Sequence, residues 1–346
     1  MTLSAVESRS KIALAADWCE LFAIHSSRKV CSYADLKKSI ENLEEDWESP
    51  EILEPSENNG LEYEDLDEKI LDEPNEEWVG DVRAELDYRR RSLDGNYPFT
   101  LEGSERWILT SSHDPDYISH LVYRSMLFAT GMRFGLLTPI PDIDRAVQIA
   151  STLVAGRIVD GEAVWFGWPR PDGTKFQSAM ESWLERLGEK IPLTPPSWTT
   201  GAEKDEGIDI IAWRSFGDAI APRLILFGQV ASGRNNWENK SVKAYLDARI
   251  DSWLGEYMQK SVIPAMFVPW PQYIEVDAKT RNRTAPEKKD FRAWCASEAR
   301  LREKTLGLLI DRVRAAELAE SVEEELSKEL IESLSQWTQA ALKAQA

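Results

Sequence analysis

Apolar positions in the first half of the chain recur mainly at helical spacing. "SAVESRSKIALAADWCELFAI" predicts a helix with Ser4 as a plausible cap, and "SYADLKKSIENL" a second, with Ser32 as N-cap and Leu36, Ile40 and Leu43 on one face. "SSHDPDYISHLVYRSMLFATGM" predicts a third. Asp114 can cap it, Pro115 suits the first helical position, and Ile118, Leu121, Val122, Ser125 and Met126 form its apolar stripe. "DIDRAVQIASTLVAGRI" is amphipathic and is expected to end near Gly156.

From about residue 160 the pattern changes. "AVWFGW" reads as a short aromatic strand before the turn "PRPDG". "KFQSAMESWLERLGEKI" returns to helical spacing, with Phe176, Met180, Trp183, Leu184, Leu187 and Ile191 sharing a face. After the Pro-rich "PLTPPSW" come the strands "IDIIAW" and "RLILFGQVA", the helix "SVKAYLDARIDSWLGEYM" and the strand "PAMFVPW". The helix before that last strand permits a crossover, so it can run parallel to an earlier one. "DFRAWCASEARLREKTLGLLIDRVRAAEL" and "SVEEELSKELIESLSQWTQAAL" predict a pair of long C-terminal helices.

This order implies an α/β (α+β) protein: a helical N-terminal region, a small mixed sheet flanked by helices, and long C-terminal helices. The segments divide as N-terminal helices over 1–42, an acidic linker over 43–79, a helical domain over 80–158, the sheet-containing core over 159–275 and C-terminal helices over 276–346.

Charge refines the picture. The chain of 346 residues carries a net −19, which at first argues against nucleic acid as a partner. Sixteen acidic residues and one lysine lie between Leu43 and Trp78, leaving a net −4 on the rest. A near-neutral body with local basic patches can bind a phosphate backbone. The acidic block itself reads as a solvated linker, then as a surface for a basic partner, and last as a mimic of DNA in a groove. No apolar run is long enough to span a membrane and no signal-peptide pattern appears at the N-terminus. Cys19, Cys31 and Cys295 form no CxxC, so neither a disulfide framework nor a zinc site is expected, and a reducing cytoplasm fits.

The candidate chemistry centres on "GIDIIAWRSFGDAIAPRLILFGQVASGRNNW". Asp209 opens one strand and Gln229 closes the next. In an antiparallel pair these two oxygen-bearing side chains meet at one edge, a combination suited to Mg²⁺. Arg234 and Lys240 follow and could offset phosphoryl charge. Glu181, at the border of the apolar face of its helix, is a further metal-ligand candidate.

These residues resemble the restriction-endonuclease-like, or PD-(D/E)xK, nuclease superfamily over roughly residues 170–275. They are also similar to nucleases of bacterial and phage-defence loci that carry a Gly-Gln-x-Ala-(Ser/Thr)-Gly signature. Asp209 matches the Asp of the pattern and Gln229 its Glu/Gln, whereas the expected lysine falls on Ala231. The resemblance implies a restriction-endonuclease-like core and a Mg²⁺- or Mn²⁺-dependent nuclease acting on DNA in anti-phage defence. Asp209, Gln229 and Glu181 would then bind metal, with Lys240 or Arg234 as the cation. The alternative is a catalytically inactive nuclease-fold subunit that binds other proteins through the acidic segment or the C-terminal helices. Assembly into a homo-oligomer is compatible with either.

Other residues have plainer readings. His113 suits a turn, and His25 and His120 lack metal spacing with a third ligand. In "GLLIDRVRAAEL" a buried arginine pairing with Asp311 is the structural reading, with phosphate contact as its rival. Most of the 14 tryptophans suit core or interface, with a few, Trp213, Trp237 and Trp253 among them, available to line a nucleic-acid groove.

Overall fold

The computed structural model describes residues 11–39, 76–112, 117–188, 195–217, 224–233, 250–254, 262–271, 307–322 and 324–344. Most of the acidic block, Arg234, Lys240, Cys295, His113 and the caps proposed at Ser4, Asp114 and Pro115 lie outside these residues.

The described elements begin with α1 (Lys11–His25), β1 (Val30–Ser32) and the helical stretch α2 (33–39), followed by α3 (Glu76–Leu93). Then come β2 (Phe99–Glu102), β3 (Ile108–Ser111), α4 (Ile118–Arg133) and α5 (Ile143–Val159). The core region holds β4 (Glu162–Trp165), α6 (Phe176–Arg186), β5 (Ile210–Arg214), β6 (Leu224–Val230), a short α7 (Asp251–Leu254) and β7 (Val262–Phe267). β8 (Leu308–Ile310), α8 (Arg312–Ala319) and α9 (Glu324–Ala344) complete the chain.

The mixed helix-and-strand class is as expected, with two corrections in the N- and C-terminal parts. The N-terminal half is not purely helical: β1, β3 and β2 form a three-stranded antiparallel sheet. These strands have only three or four residues, too few for alternation to stand out from the helical pattern around them. Near the C-terminus, "GLLI" is not helix. Leu308–Ile310 adds an edge strand parallel to β7. A Cβ on Gly307 would come within 2.3 Å of the Pro264 carbonyl oxygen, so that close approach requires glycine. Asp311 then caps α8, its carboxylate accepting from the Arg314 amide at 2.9 Å. Asp311 is therefore not the partner of buried Arg312.

The second sheet has the order β4-β5-β6-β7-β8. β4, β5 and β6 are antiparallel neighbours, while β7 pairs with β6 in parallel. Its central strands are apolar on both faces because both are covered. Ile210, Ala212, Leu226 and Phe267 pack in the cluster built from α1, α3, α4, α5, α8 and α9. Ile211, Trp213, Ile225, Phe227 and Met266 pack on the other side with Phe176, Met180, Trp183 and Leu184 of α6 and with Trp253.

Charged groups lie within the first of these cores. Arg89 reaches Asp17 at 2.6 Å, Glu85 at 2.8 Å and Glu20 at 3.1 Å. Arg312 pairs with Asp17 and donates to Thr130 Oγ1 at 3.3 Å. The hydroxyls of Tyr97 and Tyr123 donate to Glu20 at 2.6 and 2.7 Å. All these groups are buried. The network clamps α1, α3, α4 and α8 together and so sets the position of α4, whose last turn carries Arg133.

Candidate functional site

The backbone builds the site at the open end of the β5–β6 ladder. Ile210 pairs with Gly228, so Asp209, one residue before β5, lies at the end of β6 that carries Gln229. Chain direction into β5 is set by a tight turn. Glu206 and Gly207 have φ of 50° and 80°, and Asp205 caps the turn by accepting from the Gly207 amide at 3.0 Å.

Asp209 is held on several sides. Its amide donates to the Gly228 carbonyl at 2.9 Å, and its own carbonyl accepts from the amides of Phe166 and Gly167 at 2.8 Å each. Oδ2 accepts from the Val230 amide at 2.7 Å. The opening carboxylate of this strand thus bonds to the backbone that follows Gln229. Gly167 leaves room for it. A Cβ there would sit 2.7 Å from Asp209 Oδ1 and 3.2 Å from Gln148 Nε2.

Asp209 and Gln229 line one cavity of about 880 Å³. Gln229 is 5% exposed, and its Oε1 is buried with no hydrogen-bond partner. Buried polar atoms are rarely left in that condition without a reason. Gln148, projecting from α5 into the same cavity, also has a buried Oε1 without a partner. The rest of the wall includes Arg133, Asp144 and Ser232, with Trp198, Glu203, Lys204 and Asp205 on the loop that precedes β5.

Arg133, Asp144 and Ser232 form a latch. Arg133 pairs with the Asp144 carboxylate and donates through Nε to the Ser232 carbonyl at 3.0 Å. The Ser232 hydroxyl donates to Asp144 at 2.7 Å. This ties the turn after β6 to the start of α5 and the end of α4.

Of the residues proposed from sequence, Asp209 and Gln229 share the cavity, while Arg234 and Lys240 lie outside the described residues. Glu181 is not brought to it. It sits on the exposed face of α6, where it accepts from Gln177 Nε2 at 2.9 Å. The physical reason is the depth of the α6 stripe: Met180, Trp183 and Leu184 face the sheet and turn Glu181 to solvent. Trp213 and Trp253 are buried in the α6 cluster and so do not form a groove wall, and Trp237 lies outside the described residues. Ala231 is 1% exposed within that cluster, so its position has no room for the lysine of the superfamily pattern.

The sequence reading missed Arg133, Asp144 and Gln148. Each lies on a helix whose periodicity marks it only as a polar border position. Among the described residues no group of three His, Cys, Asp or Glu side chains is placed to hold a metal. Comparison with protein-family models, curated proteins and solved structures gave no match.

Proposed function

We propose that this chain is a Mg²⁺- or Mn²⁺-dependent nuclease with a restriction-endonuclease-like core, acting on DNA, in the anti-phage setting that its sequence resemblance implies. The observation that carries the reading is the partnerless buried oxygen of Gln229, a residue that lines the same cavity as Asp209. The sheet supports it: α5 precedes three antiparallel strands, and β7 returns parallel to β6 with Asp209 and Gln229 at the open end.

The donors fit a hard divalent cation in kind, since a carboxylate and an amide oxygen are oxygen ligands and Gln229 Oε1 lacks any other partner. Asp209 and Gln229 would hold it. Such a cation supplies Lewis-acid polarisation of a phosphodiester and its attacking water. The protein's own part is positional. The Val230 amide fixes Asp209 Oδ2 and so aims the carboxylate. The Arg133 guanidinium, immobilised by Asp144 and the Ser232 carbonyl, puts fixed N–H donors of an ion-paired cation in the cavity wall. Preorganised donors of this kind stabilise developing charge on a phosphoryl oxygen without reorganising.

A second reading has its own support. Burial of Ala231 removes the superfamily's lysine position, as in an inactive subunit that only binds other proteins. The two are separated by incubating single-stranded DNA, duplex DNA and RNA with the full chain and Mg²⁺ or Mn²⁺. Cleavage by the wild type and its loss in Asp209→Asn supports the nuclease. Equal cleavage in both, or none in either, rules out this site as the catalytic centre.

A further inference from the structure

We propose that the Trp198 indole is a stacking platform for an unpaired nucleobase, which makes single-stranded nucleic acid the ligand class of the cavity. The proposal rests on the nuclease reading above and deepens it.

Trp198 is the one aromatic side chain among the described residues that line the cavity, and it is 36% exposed. Its ring is held from behind. Trp253, 5% exposed, meets it with centroids 6.4 Å apart and planes at 86°, and Trp253 in turn packs on Phe176 at 5.1 Å. An edge-to-face contact of this kind anchors a ring without stacking on it. The loop that carries Trp198 is fixed as well. The Thr199 amide donates to the Pro196 carbonyl at 3.0 Å, the Thr200 amide donates to the Glu203 carboxylate, and buried Arg170 donates to the Lys204 carbonyl. A preorganised aromatic face loses little freedom when a ligand settles on it.

The lining has two chemically distinct parts, and a nucleotide has the same two. Arg133, at the end of α4, offers guanidinium donors suited to a phosphate. The loop before β5 offers Trp198, with Glu203, Asp205 and Glu206 set against one cation, Lys204. Those carboxylates repel phosphate, so the part of a nucleotide that this loop accepts is the uncharged aromatic base. A base presents its face to an indole only when it is outside a duplex stack, which selects single strands. The cavity volume of about 880 Å³ falls within the roughly 300–1,000 Å³ of small-ligand sites, a size for single nucleotides rather than for a duplex.

The test is fluorescence anisotropy of labelled oligonucleotides binding to the full chain in EDTA, which separates binding from cleavage. A single-stranded oligonucleotide should bind about 10-fold or more tighter than an abasic strand of equal length and charge, or than the same sequence in a duplex. Trp198→Leu should erase that preference and leave the affinity for the abasic strand unchanged. Trp198→Phe, which keeps an aromatic face, should retain it. Trp168→Leu is the control, because Trp168 is 40% exposed but does not line the cavity, and there the preference should survive. Melting curves verify that the variants fold. A wild type that binds the abasic strand or the duplex as tightly, a preference that persists in Trp198→Leu, or one lost equally in Trp168→Leu overturns the proposal. Binding of a labelled oligo-arginine peptide instead of the oligonucleotide also overturns it and assigns the loop to a basic partner. Cleavage with Mg²⁺ is scored separately. Base preference through Trp198 without cleavage removes the nuclease reading and keeps the platform, while Asp209-dependent cleavage without base preference does the reverse.

Discussion

Replacing Arg312 by methionine removes one of two guanidinium groups from a fully buried charge network. Arg312 is 0% exposed, pairs with Asp17, donates to Thr130 at 3.3 Å and lies 4.9 Å over the Tyr123 ring. Methionine fills a similar volume, so the cavity cost is small and the electrostatic cost dominates. Two arginines here face three carboxyl groups, and burial pushes the Glu85 carboxyl up, which brings the cluster towards charge balance. Without Arg312 an uncompensated negative charge remains in the core. Breaking one partner of a buried pair costs about 3–5 kcal/mol. That is a large fraction of the roughly 5–15 kcal/mol by which proteins are stable. At about 2–4 °C per kcal/mol, Tm should fall by roughly 6–20 °C. Adding Asp17→Asn restores the charge balance, so the double variant should be more stable than the sum of the single losses by about 1–3 kcal/mol. Urea unfolding followed by tryptophan fluorescence and by circular dichroism measures all four proteins. A loss below about 1 kcal/mol for Arg312→Met, or strict additivity in the double variant, would refute the account of the network as a balanced cluster.

Two further outcomes follow from local geometry. Gly167→Ala puts a methyl group 2.7 Å from Asp209 Oδ1, at a position whose backbone tolerates alanine, so cleavage should fall by about 10-fold or more while Tm changes by only a few degrees. Undiminished cleavage would show that the Asp209 carboxylate need not occupy that space. His25 is mostly buried and its pKa is lowered to about 4, first by burial and then by Lys29, so the folded state favours the neutral ring. The unfolded chain takes up a proton first, so stability is full above pH 6.5 and is lost as pH falls from about 6.5 towards 4. His25→Phe should flatten the Tm profile in the upper part of that window, and an unchanged slope between pH 6.5 and 5 would assign the acid sensitivity elsewhere.

Much of this arrangement could be read along the chain. Unbroken apolar runs bounded by turn residues mark β5 and β6 as strands covered on both faces, and the stripe of α6 names the residues that cover one of them. That Asp209 and Gln229 fall at one end of the β5–β6 pair also follows from sequence, because strands adjacent in sequence favour an antiparallel ladder. Local spacing decides these features, so the sequence determined them alone.

Tertiary structure decided the rest, because those features depend on residues far apart in the chain. A buried arginine is expected to pair with its neighbour Asp311, but buried Arg312 meets Asp17, 295 positions away, once α8 packs on α3, α4 and α5. Leu308–Ile310 of "GLLI" became a strand only because the β7 edge offers it a ladder. Gln148 reads in sequence as an ordinary polar position beside a helical stripe. Only the packing of α5 on the sheet brings it to the cavity that Asp209 lines, with its Nε2 beside the space that Gly167 leaves open. Periodicity specifies which side of a helix is buried, whereas the convergence of single polar atoms is fixed by how the packed layers stop at a common edge.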